Sequence, residues 1–231
     1  MTTTLPCPTL RANAERLIRG RRAVRAFRPD PVPQETLRAV FSLAGAAPSN
    51  SNTQPWHIEV VSGASRDRLS ADLRAAHAAG RMTPDFPYDD GMYGDVHQKR
   101  RRAAGAAMYD ALGIGRDDQA ARAAYDVESL DFYGAPHVAL LFLPSTAEVR
   151  MAADVGMYGQ TLLLALTAHG IASCPQGLLS FYADTVRRSL GVAADRKLLL
   201  GVSFGYADPS APVNGISIPR AELSETTRFS D

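Results

Sequence analysis

Hydrophobic residues recur at helical spacing in several segments of the chain. Leu10, Ala14, Leu17 and Ile18, for example, fall on one helix face. Residues that favour the beginning or the end of a helix mark the limits of each predicted helix. The predicted helices cover residues 9–20, 33–47, 65–79, 96–112, 152–169 and 181–190.

Three segments instead have the apolar, β-branched composition of strands: Trp56–Ser62, Ala135–Leu143 and Lys197–Ala207. The second is continuously apolar, which predicts a strand buried on both faces. The helix at 152–169 is apolar nearly all round, so we expect it to be buried inside the subunit or against another chain. Helices outnumber strands and do not alternate with them regularly. The pattern therefore predicts a single α+β domain over residues 1–231.

Two long segments do not follow a regular period. Residues 80–134 begin without periodicity, contain the helix at 96–112 and end in an irregular segment. An excursion of this length is typical of a functional lid or a disordered insert, and its aromatic residues favour a lid. The tail from about 208 to 231 contains three prolines. We expect it to be extended and to pack on something, such as a partner subunit.

Charge and composition exclude several classes of protein. Lys and Arg number 25 and Asp and Glu 24, so the net charge of +1 predicts binding neither to nucleic acid nor to acidic membranes. No apolar run reaches the ~20 residues of a membrane helix, and the first residues do not form a signal peptide. Two cysteines, Cys7 and Cys174, without a CxxC motif fit a reducing compartment. We therefore expect a soluble, cytoplasmic protein.

Common catalytic signatures are also missing from the sequence. No GxGxxG follows a strand, and no GxxxxGK[ST] occurs, which argues against a Rossmann cradle and a P-loop. No GxSxG motif indicates a hydrolase. The five histidines are scattered, so we predict that the protein has no metal site.

The first chemical signal is the arginine-rich stretch Arg21–Arg25. On an extended segment, Arg21 and Arg25 share a face, and guanidinium groups match phosphate oxygens bidentately. A solvated basic loop is the alternative interpretation.

Three further motifs carry polar or conformational signals. Pro48–Trp56 offers amide donors and acceptors that suit the edge of a heterocycle, or it is an Asx-rich turn. Gly177, within Ser173–Leu178, permits close approach of the backbone to a ligand, or the segment is an ordinary turn between helices. Asn214 and Arg220 lie in the tail, where they either bind a ligand or are exposed without a role.

Taken together and in this order, the motifs resemble those of the flavin-dependent nitroreductase family. The resemblance rests on RRAVRAF, PSNSNTQPW before a strand, CPQGL after the long apolar helix, and GYADPSAPVN with PRAEL near the end. It spans about Leu10 to Phe229. It implies a central, mostly antiparallel sheet surrounded by helices, in an intertwined homodimer that binds FMN at the subunit interface.

The resemblance also implies an activity. Hydride from NADPH or NADH would pass through the flavin N5 to a small aromatic acceptor of the nitroaromatic or quinone type, with ping-pong kinetics. No catalytic side chain is expected. Two alternatives stay open: the same scaffold used for reductive dehalogenation or flavin degradation, and a non-enzymatic flavin carrier or interaction protein that uses the apolar helix 152–169.

Residue by residue, the resemblance places cofactor contacts at Arg21, Arg22, Ala23, Arg25, Pro48, Ser49, Asn50, Asn52, Pro175, Gln176, Gly177, Leu178 and Arg220. Arg21 and Arg220 would bind the phosphate, and Arg25 would supply a cation near the flavin N1 and O2. The backbone of Gln176 and Gly177 would lie near N5, and residues 48–52 would come from the second subunit. Ala23 stands where the family usually has Ser, so one hydroxyl contact to the phosphate is lost.

Aromatic residues of the excursion are candidates for binding the acceptor. They are Phe86, Tyr88, Tyr93, Phe132 and Tyr133. Packing of these side chains in a satellite core is the alternative.

Overall fold

Eight helices and four strands are defined in the computed structural model, which describes residues 8–230. The helices are α1 (Pro8–Gly20), α2 (Gln34–Ala44), α3 (Gly63–Ala78), α4 (Asp95–Ala111), α5 (Gln119–Leu130), α6 (Val149–Ala168), α7 (Ala183–Leu190) and α8 (Leu223–Thr226). The strands are β1 (His57–Ser62), β2 (His137–Pro144), β3 (Ala172–Gln176) and β4 (Arg196–Gly205).

The strands form one antiparallel sheet in the order β1-β2-β4-β3. β2 lies in the interior of the sheet, and its side chains alternate between two cores. Val138, Leu140 and Phe142 join the core under α3 and α7. Ala139, Leu141 and Leu143 join the core under α2 and α6. The predicted α+β class, the antiparallel sheet and the doubly buried strand are therefore confirmed.

The structure contains a helix, α5, that the sequence analysis treated as irregular. The Asp118 side chain caps it by accepting a hydrogen bond from the Ala121 N–H at 2.9 Å. Tyr125, Ser129 and Leu130 form its buried face. Because most other positions are small or polar, the apolar periodicity of this segment was too weak to reveal the helix.

β3 was also missed, because Ser173–Leu178 was interpreted as a possible turn. Pro175 and the polar Ser173 and Gln176 hide the strand pattern in this short segment. Its antiparallel pairing with β4 runs from Ala172 opposite Gly205 to Gln176 opposite Gly201. The predicted strand 197–207 is thus the fourth strand, not the third.

The start of the excursion is attached to the body of the protein. The Thr83 N–H donates to the Phe181 carbonyl at 2.7 Å, and Asp85 accepts hydrogen bonds from the Leu198 N–H at 2.7 Å and from Arg187 at 2.6 Å. The excursion therefore begins beside β4 and the 3-10 turn Gly177–Tyr182 that precedes α7.

The described residues include the helices α1 to α8 and one of the two cysteines. None of the helices in residues 8–230 combines the length and apolarity that crossing a bilayer requires. Cys174 is buried and free, and Cys7 lies outside the described residues.

Close packing of β4 against the 3-10 turn Gly177–Tyr182 generates a stability prediction. A Cβ on Gly201 would overlap the Leu179 side chain, so Gly201→Ala should lower the free energy of unfolding by about 1–3 kcal/mol. Gly105→Ala in α4 is the control, because its Cβ would meet no atom within 4 Å and should stabilise the helix by about 0.5–1 kcal/mol. Urea unfolding measures both, and equal stability of the two variants would contradict the packing described here.

Candidate functional site

The stretch after α1, which we call the arginine segment (residues 21–28), extends the sheet beyond β3. Ala23 bridges Ser173 in parallel, and the Val24 N–H donates to the Ser173 carbonyl at 3.0 Å. Further along, Phe27 bridges Ala207. Val24 and Phe27 are buried in the core, while Arg22 is exposed and Arg21 and Arg25 are half-buried. The backbone of the arginine segment is thus fixed, and its charged side chains stand at the sheet edge.

Asn214, in the tail, attaches the tail to the arginine segment. Its Oδ1 accepts a hydrogen bond from the Arg25 N–H at 2.8 Å. Its Nδ2 donates to the carbonyls of Ala26 at 2.8 Å and Asp208 at 2.9 Å. One amide side chain therefore joins two segments that are far apart in the sequence.

A cleft of about 1140 Å³, which we call the arginine cleft, opens between α1, the arginine segment, the end of β3 and the tail. Six arginines line it: Arg11, Arg19, Arg21, Arg22, Arg25 and Arg220. The single carboxylate on its lining, Glu15, lies 3.4 Å from the Arg11 guanidinium. Such an excess of guanidinium groups favours an anionic ligand.

The arginine cleft brings together six of the predicted cofactor residues: Arg21, Arg22, Ala23, Arg25, Pro175 and Arg220. Sequence reasoning missed Arg11 and Arg19. Their spacing was the available signal, because Arg11, Glu15, Ile18 and Arg19 recur with helical period on one side of α1.

The end of β3 has one face exposed and one buried. Pro175 and Gly177 are exposed, whereas the Gln176 side chain between them is buried. This alternation follows from the two-residue period of a strand. Pro175 lines the arginine cleft, and Leu178 packs against the core under α3 and α7.

Residues 48–55, which we call the polar loop, lie at the opposite edge of the sheet, just before β1. Three strand spacings separate β1 from β3, which is ~14 Å, and Pro48, Ser49, Asn50 and Asn52 do not line the arginine cleft of the same chain. One chain alone therefore does not bring all the predicted cofactor residues together.

The polar loop nevertheless has a defined backbone. Ser51, Asn52 and Gln54 have φ values of 51°, 56° and 47°, in the left-handed region that side chains disfavour. Asp154 on α6 accepts a hydrogen bond from the Asn50 N–H at 3.0 Å. The Trp56 ring packs 5.0 Å from the Tyr158 ring. These contacts hold a strained loop, and such strain is concentrated at functional sites.

The aromatic candidates separate into different groups. Tyr88 packs 5.1 Å from Phe181 and 6.4 Å from Tyr93, and all three rings are at least partly exposed. Phe86 is half-buried, with Lys197 Nζ 5.9 Å from its ring.

Phe132 is corrected to a core residue. It is fully buried, and the Arg66 guanidinium lies 5.1 Å from its ring, so it has no surface to offer a substrate. Tyr133, which follows it, is half-buried and packs 5.8 Å from Tyr125.

Two groups beside Arg25 are neutral at physiological pH, and burial raises their pKa values further. It raises the pKa of the Tyr133 hydroxyl to about 12 and the pKa of the Cys174 thiol to about 11. The positive charge of Arg25 opposes both shifts without reversing them. Within residues 8–230, no group of three or more His, Cys, Asp or Glu side chains is arranged to hold a metal ion. The charge available at this site is therefore that of the arginines.

Comparison with known families decides the assignment. The model of the nitroreductase family matches residues 18–206, which include the arginine segment, the polar loop and the end of β3. The chain belongs to the nitroreductase family. Asn214 and Arg220 lie beyond the matched range.

Individual relatives cover nearly the whole chain. Nitroreductase NfnB from Mycolicibacterium smegmatis is 66% identical over 225 residues, or 97% of this chain and 96% of that protein. The solved structure of the FMN-dependent nitroreductase NfnB from Mycobacterium smegmatis in complex with NADPH has a TM-score of 0.94, covering 96% of this chain and 100% of that one. A 4-nitrobenzoate reductase from Pseudomonas putida is 32% identical over 92% of this chain and 93% of its own length.

The attachment of the tail can be tested through Asn214. Asn214→Ala removes three hydrogen bonds and should lower the free energy of unfolding by about 1–3 kcal/mol. Amide hydrogen exchange of residues 208–220 should also become faster. Asn13→Ala is the control, since this exposed asparagine accepts a bond only from the neighbouring Arg16. Unchanged exchange in the tail of Asn214→Ala would contradict the role of this side chain.

Proposed function

We propose that the protein is an FMN-dependent oxidoreductase that uses NADPH to reduce nitroaromatic compounds. The observation that carries the proposal is the arginine cleft, in which guanidinium groups from the arginine segment and from the tail converge beside the exposed end of β3. The FMN dependence and NADPH complex of the M. smegmatis relative, and the 4-nitrobenzoate reductase relative, support the proposal.

The residues of the cleft fit FMN in charge and in chemistry. Arg21 and Arg220 offer guanidinium forks to the phosphate, with Arg22 adjacent. Because Ala23 has no hydroxyl, the arginines would carry more of the phosphate binding. Pro175 and Gly177 are exposed and uncharged, and the ring system would lie against them, with the backbone of Gln176 and Gly177 facing N5.

Bound FMN would supply the redox chemistry, which is hydride transfer from NADPH to a nitroaromatic or quinone acceptor in ping-pong order. The protein binds, orients and stabilises charge. Arg25, whose backbone N–H is held by Asn214, would provide a preorganised cation beside N1 and O2 of the bound flavin. No side chain is required as an acid or base.

The acceptor would bind next to the end of β3. The 3-10 turn that carries Phe181 begins at Gly177, and Tyr88 packs on Phe181. The cluster of Tyr88 and Tyr93 would form one wall of the acceptor site. Phe86 and Tyr133 pack against the cores on opposite faces of the sheet and remain separate candidates for contacts with the acceptor.

We further propose that the protein acts as a homodimer. α1 has no buried residue in a single chain, and Leu10 and Ile18 are 63% and 59% exposed on it. Met157 on α6 is also exposed. A second copy packed on these helices would cover this apolar surface and bring its polar loop to the arginine cleft.

The phosphate assignment can be tested by removing one guanidinium group. The purified protein should be yellow, and Arg21→Ala should weaken FMN binding about tenfold to a hundredfold, because a charged hydrogen-bonded contact contributes about 1.5–3 kcal/mol. Fluorescence titration of the apoprotein measures the dissociation constant. Arg16→Ala is the control, since Arg16 lies on α1 outside the cleft lining and bonds to Asn13.

The enzymatic activity is tested with NADPH and 4-nitrobenzoate. Oxidation of NADPH should require both the bound flavin and the nitro compound. A protein that binds no FMN, or an Arg21→Ala variant with wild-type affinity, would contradict the assignment of the arginine cleft.

A further inference from the structure

The Gln176 side chain lies directly behind the exposed end of β3. It is 4% exposed, and its neighbours Pro175 and Gly177 face outward. We propose that Gln176 is a positioning residue, whose amide fixes the peptide that the end of β3 presents to the cofactor and keeps that position independent of pH. This inference rests on the proposed function.

The surroundings of Gln176 require a side chain that donates one hydrogen bond and accepts another, which an amide does at every pH. Its Nε2 donates to the Ser129 carbonyl at 2.7 Å, and its Oε1 accepts a hydrogen bond from the Ser203 hydroxyl. A carboxylate would place an oxygen against the Ser129 carbonyl oxygen, and a thioether would leave both partners unsatisfied. Leaving a buried polar group without a hydrogen-bond partner costs free energy. These two bonds therefore fix the position of the amide.

The two partners connect Gln176 to different parts of the fold. Ser203 is on β4, where it pairs with Cys174, and Ser129 is near the end of α5. α5 belongs to the excursion that the sequence predicted to be a lid. The hydrogen bond from the Gln176 amide to Ser129 thus connects the lid region directly to the strand at the cofactor cleft.

Packing restricts the backbone at the same point. Gly201 lies opposite Gln176 in the β ladder, and the absence of a side chain there makes room for Leu179. Leu179 is fully buried two residues after Gly177. Since the Gln176 amide on one side and Leu179 on the other are both fixed, the peptide between Gln176 and Gly177 has little rotational freedom.

The proposal predicts what an ionisable group would do at this position. Both hydrogen-bond partners of Gln176 are uncharged. Titratable and charged groups on the elements packed around it include Arg122, Tyr125, Asp126, Glu128 and Asp131 at or after α5, Tyr133 in the turn that follows, Cys174 on β3, Lys197 on β4, Tyr182 in the 3-10 turn after β3, His77 on α3 and Arg25 of the arginine segment.

A glutamic acid in place of Gln176 would have a raised pKa because of burial. When protonated, it can still donate to the Ser129 carbonyl and accept from Ser203. When ionised, it repels that carbonyl. The supporting contact is therefore present at low pH and lost as the pH rises through the raised pKa.

The experiment measures the rate of FMN release from the holoprotein between pH 5.5 and 9. In Gln176→Glu, release should accelerate about tenfold as the pH rises, since one or two hydrogen bonds to a buried partner are lost. In the wild type and in the control Gln119→Glu, which adds the same charge at the exposed start of α5, the rate should not show this rise. Gln176→Met should release FMN quickly at every pH. The reduction potential of the bound flavin, measured over the same range, should deviate from wild type only where the glutamate is ionised.

Each outcome decides a different question. A Gln176→Glu variant with the release rates and potentials of the control at every pH would overturn the proposal. If Gln176→Glu does not fold, Ser203→Ala is tested instead, because it removes only the hydroxyl that donates to Gln176. Faster FMN release from a stably folded Ser203→Ala variant supports the proposal. Release at the wild-type rate overturns it. Absence of FMN from the wild-type protein would overturn the proposed function, and this inference with it.

Discussion

Backbone pairing at the β3 edge of the sheet is the constraint on which the candidate site depends. The Val24 N–H bonds to Ser173, and the Arg28 N–H bonds to the Tyr206 carbonyl at 2.9 Å. These bonds, with the two isolated bridges from Ala23 and Phe27, fix the backbone of the arginine segment beside the sheet, and Asn214 fixes the tail to it. Without them, several like charges would repel one another and separate into solvent. A sheet edge that holds arginines close together is preorganised to bind an anion.

The same sheet explains why one chain does not bring all the predicted cofactor residues together. The arginine segment lies beyond β3, and the polar loop precedes β1 at the other edge. Asp154 holds the loop from α6, the helix whose Met157 is exposed in the single chain. A twofold partner that covers α1 and α6 would therefore add its own loop to the cleft. Oligomerisation and cofactor binding then depend on the same surfaces.

The sequence predicted those parts of the fold and site that depend on local pattern. The continuous apolar run of β2, the helical period of α2 and the alternation that gives Arg21 and Arg25 one face are local properties. β3 could not be predicted this way, because pairing with β4 outweighs the weak strand preference of Ser173 and Pro175. Arg11 and Arg19 could not be assigned to the cleft from local pattern, because the cleft is lined by α1 together with the arginine segment and the tail. Phe132 was misassigned because the same aromatic residue suits a core and a substrate pocket, and only its packing distinguishes them.

The most direct test of the central claim, that two chains build each cofactor site, is a mixed dimer. One chain carries Arg21→Ala and Arg220→Ala, and the other carries Asn50→Trp and Asn52→Trp, which would block the space for the flavin ring. Neither homodimer should hold FMN. The purified mixed dimer should hold one FMN for every two chains, because one of its sites combines an intact arginine cleft with an intact polar loop. A mixed dimer that holds no FMN would contradict the claim, since this is the result expected if each site were formed by a single chain.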